Sequence, residues 1–213
     1  RLPNLIFELL VRGALTSAFI PVFTRYLTEH NEKEGFDIAA TLINMSTVVL
    51  VILAIPLLLF TNQLSQFLAP GFSPEQVVRM ATYTRFMIIF QVLPLLAGNF
   101  FTGILQSYNL FLVPALAPVV YNIGIIIGIV TLTPMYGLYA PVYGVGIGAG
   151  LFMLIQLPLV ILVGYRHQWA FDYKHKGVRE VLKLIGPRTL GLAVSQIDST
   201  VDLMLASLLG ARM

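Results

Sequence analysis

Asp198 and Asp202 stand one helical turn apart near the end of the chain, in a stretch that also carries Arg188 and Gln196. Positions four apart share a helix face, so the two acids repel unless a cation, a proton or an outside arginine intervenes. Oxygen ligands favour a hard cation such as Na⁺, by the logic that governs Ca²⁺ and Mg²⁺. The alternative is that one acid sits at the aqueous end of its helix and is simply hydrated. A second set lies near the start, where Glu8 and Arg12 share a face within an apolar run. Either they form a neutralised pair inside a bundle, or their face lines a water-filled cavity where Arg12 meets an anion. A guanidinium suits phosphate because its planar donors engage two oxygens at once. Arg1, about three turns before Arg12, falls near the same face.

Such charges matter because of what surrounds them. From Phe86 to Tyr165, about 80 residues, there is no Asp, Glu, Lys, Arg or His. That is room for roughly three to four bilayer crossings at ~20 residues each. A water-soluble domain would need a polar face somewhere along such a length. Hydrophobic residues make up 57% of the chain and charged residues 11%, against ordinary values of ~45–50% and ~25%. Mean hydropathy is +0.85. Each charge within an apolar span costs ~2.5–3.5 kcal/mol on insertion scales, so a retained one marks a candidate site.

Other chemistries are poorly supplied. Without Cys there is no disulfide framework, thiolate metal site or Cys nucleophile. His30, His167 and His175 fall in loops without metal-ligand spacing and are expected to be solvated. No Ser-His-Asp set or nucleotide-binding Gly loop is present, so the chain reads as a non-enzyme. The net charge of +3 and pI near 9.3 follow from one basic loop and do not call for nucleic acid.

Six helical segments are expected, over about 3–26, 36–60, 74–107, 113–132, 141–165 and 178–209. Together they form one all-α transmembrane domain, read as part of a longer polytopic protein. Val48 to Leu59 is almost unbroken in its apolarity, which excludes the alternation of a barrel strand. Pro and Gly punctuate the joints at Ala69 to Pro74 and Pro134 to Ala140. The stretch Arg166 to Lys183 holds five Lys or Arg and is assigned to the cytoplasm, together with Glu29 to Asp37. The loops near 62–76 and 134–140, which contain no Lys or Arg, are placed outside. Gly124 with Gly128, and Gly144 with Gly148, stand at a spacing that permits close helix contact, either as static packing or as sliding surfaces. Arg85, Asn99, Gln106, Asn122 and Gln156 are expected to bond between helices, with snorkelling an alternative for Arg85.

Several ordered motifs have a familiar look. Gly103-Ile-Leu-Gln-Ser107, followed by Pro114-Ala-Leu-Ala-Pro-Val-Val-Tyr-Asn-Ile-Gly124, resembles the MurJ/MviN family of lipid II flippases. Arg1-Leu-Pro-Asn4 with Gly13-Ala14 and Ala18 to Phe23 looks like that family's second helix. Ala69-Pro-Gly-Phe72 looks like its signature loop, and Gln156-Leu-Pro158 like its sixth helix. Gly186-Pro-Arg188 with Ser195-Gln-Ile197, Asp202 and Ala206-Ser207 resembles its seventh.

The resemblance implies about fourteen helices in two lobes, of which this chain would supply roughly the second to seventh. It implies a multi-pass protein of the bacterial cytoplasmic membrane, monomeric, in contact with membrane lipids. An undecaprenyl-diphosphate-linked peptidoglycan precursor would cross the membrane through a cationic cavity by alternating access. Arg1, Asn4, Glu8, Arg12, Arg188 and Gln196 would then contact substrate, while Asp198 and Asp202 couple to Na⁺ or H⁺. Asp202 is the position onto which the family's sodium-coordinating acid is carried. The chain departs from the pattern in its first segment. Phe7 stands where the family usually has Arg, Arg12 replaces a Glu, and Glu8 falls where a second Arg is common. Two rival readings are another exporter of the same superfamily, for polysaccharide precursors or cationic drugs, and a non-transporting membrane scaffold.

Overall fold

The computed structural model describes the backbone of residues 14–185 and the side chains of residues 18–185. Every regular element among the described residues is helical. In chain order they are α1 (Ala14–Thr28), α2 (Glu32–Leu59), α3 (Thr61–Leu68), α4 (Pro74–Ser107) and α5 (Leu112–Tyr136). A 3₁₀ turn (Gly137–Tyr139) leads to α6 (Ala140–Leu154) and α7 (Leu157–Leu162). Helix α8 occupies 176–185 at the edge of the described region.

Among the described residues, three helical stretches are long and apolar enough to cross a membrane: Glu32–Leu59, Pro74–Ser107 and Leu112–Leu162. The last has 51 residues and would run about 76 Å if straight, more than twice the hydrocarbon thickness. It reverses at Gly137, whose φ of 52° a side chain would resist, and so crosses twice. Segments two to five are thereby accounted for, with α1 and α8 supplying parts of the first and last.

Local chemistry sets the ends. Ser73-Pro74-Glu75-Gln76 forms a capping box at the start of α4. The Ser73 hydroxyl accepts from the Gln76 N–H at 3.3 Å, and the Gln76 side chain accepts from the Ser73 N–H at 2.8 Å. Helices α1, α4 and α7 all end in one pattern, with paired bonds reaching back five and three residues. Asn31 and His30 bond to the carbonyls of Tyr26 and Leu27, and Leu110 and Asn109 to those of Leu105 and Gln106. Tyr165 and Gly164 bond likewise to Val160 and Ile161. Each is a Schellman ending with a left-handed residue at its apex: His30, Asn109 or Gly164.

The region between α2 and α4 differs from the sequence expectation. Thr61–Leu68 is a helix, where a loop was expected near 62–76. Its exposed polar residues Asn62, Gln63 and Gln66 mask a face that buries Thr61, Ser65 and Leu68 against α4. Residues four apart at 61 and 65, then 68, form one stripe.

Helix α4 is the centre of the bundle and touches α1, α2, α3, α6 and α7. Phe19 and Phe23 of α1 stack at 5.0 Å, and Phe100 of α4 meets Phe19 edge-on at 5.6 Å. The closest seam joins α5 to α6. A Cβ placed on Gly124 would lie 2.7 Å from the Gly148 Cα, and one on Gly148 would lie 2.5 Å from the Tyr121 carbonyl oxygen. Gly128 meets Gly144 in the same antiparallel register. The two glycine pairs noted in the sequence therefore face each other, and contact between backbones supplies the packing that lipid cannot drive hydrophobically.

Candidate functional site

The residues on which sequence reasoning rested, Arg1, Asn4, Glu8, Arg12, Arg188, Gln196, Asp198 and Asp202, lie outside the described residues. What the structure gives is the end of the bundle where their two segments meet. Arg25, in the last turn of α1, donates two hydrogen bonds to the Glu180 carboxylate of α8, at 3.0 and 2.6 Å. The fork geometry is the strong form of this pair. The hydrogen bond from Arg25 holds the Glu180 carboxyl below the usual carboxylate range, and Glu180 raises the Arg25 guanidinium in turn. Both side chains are nearly half exposed, at 46% and 41%, so the pair serves more as a register pin than as a source of stability.

His30 and His167 are exposed loop residues, as expected, whereas His175 is partly buried against the bundle. The His175 ring is only 21% exposed, with Nε2 3.7 Å from Glu34 of α2 and Nδ1 accepting from the Gly177 N–H. It also packs 5.9 Å from the Tyr26 ring. His167 Nδ1 lies 3.0 Å from the Tyr165 hydroxyl. Burial lowers the His167 pKa and raises that of Tyr165, which favours the neutral form of each. His30 takes the left-handed apex of the α1 ending.

Inside the spans, Gln156 is the polar centre. It is fully buried, at the interruption between α6 and α7. Its amide donates to the carbonyls of Gly98 at 3.1 Å and Phe152 at 2.9 Å, and its carbonyl accepts from Thr102 at 2.8 Å. Pro158 cannot donate to the helix ladder, and Gln156 ties the resulting break to α4. Arg85 also bonds between helices, donating at 3.3 Å to the Leu58 carbonyl near the end of α2. Asn99 and Asn122 differ from expectation. They donate within their own helices, to Leu95 at 2.7 Å and Pro118 at 2.8 Å, because apolar neighbours offer no acceptor.

One residue escaped sequence reasoning altogether. Asn44, 2% exposed within the apolar run of α2, donates to the carbonyls of Gln168 at 2.9 Å and Ala170 at 3.0 Å. The signal was available as a lone amide in a span, but carbonyl partners leave no mark in a sequence.

Beside it, a cleft of about 410 Å³ is lined by Glu32, Lys33, Phe36, Asp37, Val163, Gly164, Arg166 and Gln168. Two carboxylates and two cations give it no preference for an anion, so it is not the basic cavity the sequence leads one to expect. Among the described residues no three metal-ligating side chains converge.

A bundle of antiparallel apolar helices, with sparse buried amides and a charged rim at one end, defines a polytopic helical membrane protein. The profile of the family described as lipid II flippase MurJ matches residues 1–211, and the chain belongs to that family. A lipid II flippase MurJ from Burkholderia cenocepacia is 33% identical over 227 residues, covering 99% of this chain and 42% of that protein. A probable lipid II flippase MurJ from Buchnera aphidicola is 27% identical over 215 residues, again covering 42% of its length. Among solved structures, lipid II flippase MurJ in an inward closed conformation superposes with a TM-score of 0.78 at 25% identity. That match covers 97% of this chain and 42% of the solved one. The chain thus spans about two-fifths of the length of these relatives.

Proposed function

We propose that this chain forms part of a flippase that moves a lipid-linked peptidoglycan precursor, lipid II, across the bacterial cytoplasmic membrane by alternating access. The observation that carries the reading is the family match across residues 1–211, joined to a fold that superposes along nearly its whole length. No covalent bond is made or broken in such a step. Arg12, with Arg1, Asn4, Glu8, Arg188 and Gln196, contacts the diphosphate and headgroup, and Asp198 and Asp202 answer to Na⁺ or H⁺. The Arg25–Glu180 fork joins α1, which follows Arg12 in the sequence, to α8, which precedes Asp202. The described helices are then the scaffold that holds the first lobe together.

Full-length protein expressed in bacteria depleted of their own flippase tests the proposal. Rescue of growth by the unmutated protein, and its loss with Arg12→Ala or Asp202→Asn, is the expected result. Rescue by both variants would remove the site assignment, and failure of the unmutated protein would remove the flippase reading.

A further inference from the structure

The segment 163–175, between α7 and α8, does not stay at the rim of the bundle. Contacts with α2 mark its path. Tyr165 packs on Phe36 at 5.6 Å, Gln168 and Ala170 hang from Asn44, and His175 returns to Glu34. Phe36 to Asn44 is about 12 Å along a helix, so the loop descends by two turns and climbs back. Asp37 is the last charged residue of α2, and Asn44 lies about 10 Å beyond it on the apolar side. Non-helical backbone survives at such a depth only where its polar groups are met by protein. Asn44 meets two of the loop carbonyls with its one amide.

The aromatic side chains at the apex are exposed, Trp169 at 82% and Phe171 at 50%, and Val48 and Ile52 of α2 are exposed as well. On the returning leg the polarity reverses, with Lys174, Lys176 and Arg179 exposed and ion-paired to no described residue. The nearby Asp172 carboxylate is occupied by the backbone N–H groups of Lys174 and His175, both at 3.1 Å. Glu180 is held by Arg25. Exposed aromatics followed by exposed cations, of which Lys174 also lies 5.8 Å from the Tyr173 ring, match the chemistry of a bilayer surface, apolar below and anionic above.

We propose that segment 163–175, with the first turn of α8, is a re-entrant lipid-contact element, in which Trp169 and Phe171 rest among acyl chains below the headgroups while Lys174, Lys176 and Arg179 bind the phosphates of anionic phospholipid. It is independent of what the protein carries. Its effect is to fix the depth and tilt of α7 and α8 in the membrane.

Trp169 is the one Trp of the 213 residues, which makes the test direct. Full-length protein, with any Trp outside these residues replaced by Phe, is placed in nanodiscs of phosphatidylcholine or of equal parts phosphatidylcholine and phosphatidylglycerol. Lipids brominated high on the acyl chain should quench Trp169 strongly and aqueous acrylamide weakly. Spin-labelled phosphatidylglycerol should be retained at the protein in preference to phosphatidylcholine. Each of Lys174→Gln, Lys176→Gln and Arg179→Gln should lower that preference up to about fivefold, with bromine quenching unchanged. Quenching by acrylamide and not by bromine, as for a loop in water or against another part of the protein, overturns the proposal. So does equal retention of the two lipids, or a preference that survives the triple substitution.

Discussion

Gly148→Ala is the sharpest test of how this bundle is held. The added Cβ would sit 2.5 Å from the Tyr121 carbonyl oxygen, where ordinary contact needs at least 3.4 Å. Backbone cannot rotate aside as a side chain can, so α5 and α6 must separate by several tenths of an ångström or more. The separation also loosens Gly124 on Gly148 and Gly128 on Gly144, which share the seam. Overpacking of this kind costs about 1–3 kcal/mol. Alanine returns up to ~1 kcal/mol through its better helix propensity. A net loss of about 1–2 kcal/mol should lower the midpoint of thermal inactivation by roughly 3–6 °C. The assay is the monodisperse fraction surviving a heat ramp in detergent, read by size-exclusion chromatography. Gly150→Ala is the internal control, two residues away on the same helix with nothing within 4 Å of its added methyl. It should hold or raise the midpoint. Equal behaviour of the two variants would refute the claim that the seam depends on backbone contact.

Gln156→Leu keeps the volume but removes three hydrogen bonds and strands the Thr102 hydroxyl. It should cost about 1–3 kcal/mol in the same heat assay, with Gln106→Leu, on a half-buried residue of α4, the milder change. His30→Gly relieves a left-handed residue at the end of α1 and should stabilise by about 1 kcal/mol, read as a higher midpoint. The Arg25–Glu180 pair should respond to acid. Because the folded-state pKa of Glu180 is lowered, its contribution is complete above the ordinary Glu pKa of about 4.3 and fades as pH falls through the lower folded value. Amide hydrogen exchange around Arg25 and Glu180 should accelerate there, and Glu180→Gln should show the same acceleration already at neutral pH.

Much of the fold was legible because lipid imposes simple rules. Uncharged runs marked the spans, Pro and Gly marked their ends, and glycines at a spacing of four foretold the α5–α6 seam. Gln156 was legible as an interhelical residue, since an amide in an apolar span must find partners. Asn99 and Asn122 were not, because an amide can also satisfy itself on its own helix, and composition does not distinguish the two. Helix α3 was hidden by its brevity: eight residues with five polar side chains read as a loop until α4 covers the buried stripe. The dip of segment 163–175 was invisible for a deeper reason. It depends on carbonyl groups, which every residue has. Of the candidate site, the residue identities came from stretches outside the described residues, and the structure contributes the fork that joins α1 to α8.

The glycine seam has a mechanical consequence. Meshed at two points with no side chains as padding, α5 and α6 cannot ratchet past one another by less than a whole turn without driving Ile or Val into facing backbone. The hairpin is a stiff lever. Any rocking of the lobe must be taken up at its ends, in the Gly137 elbow and at the Gln156 joint, where the rod is already interrupted.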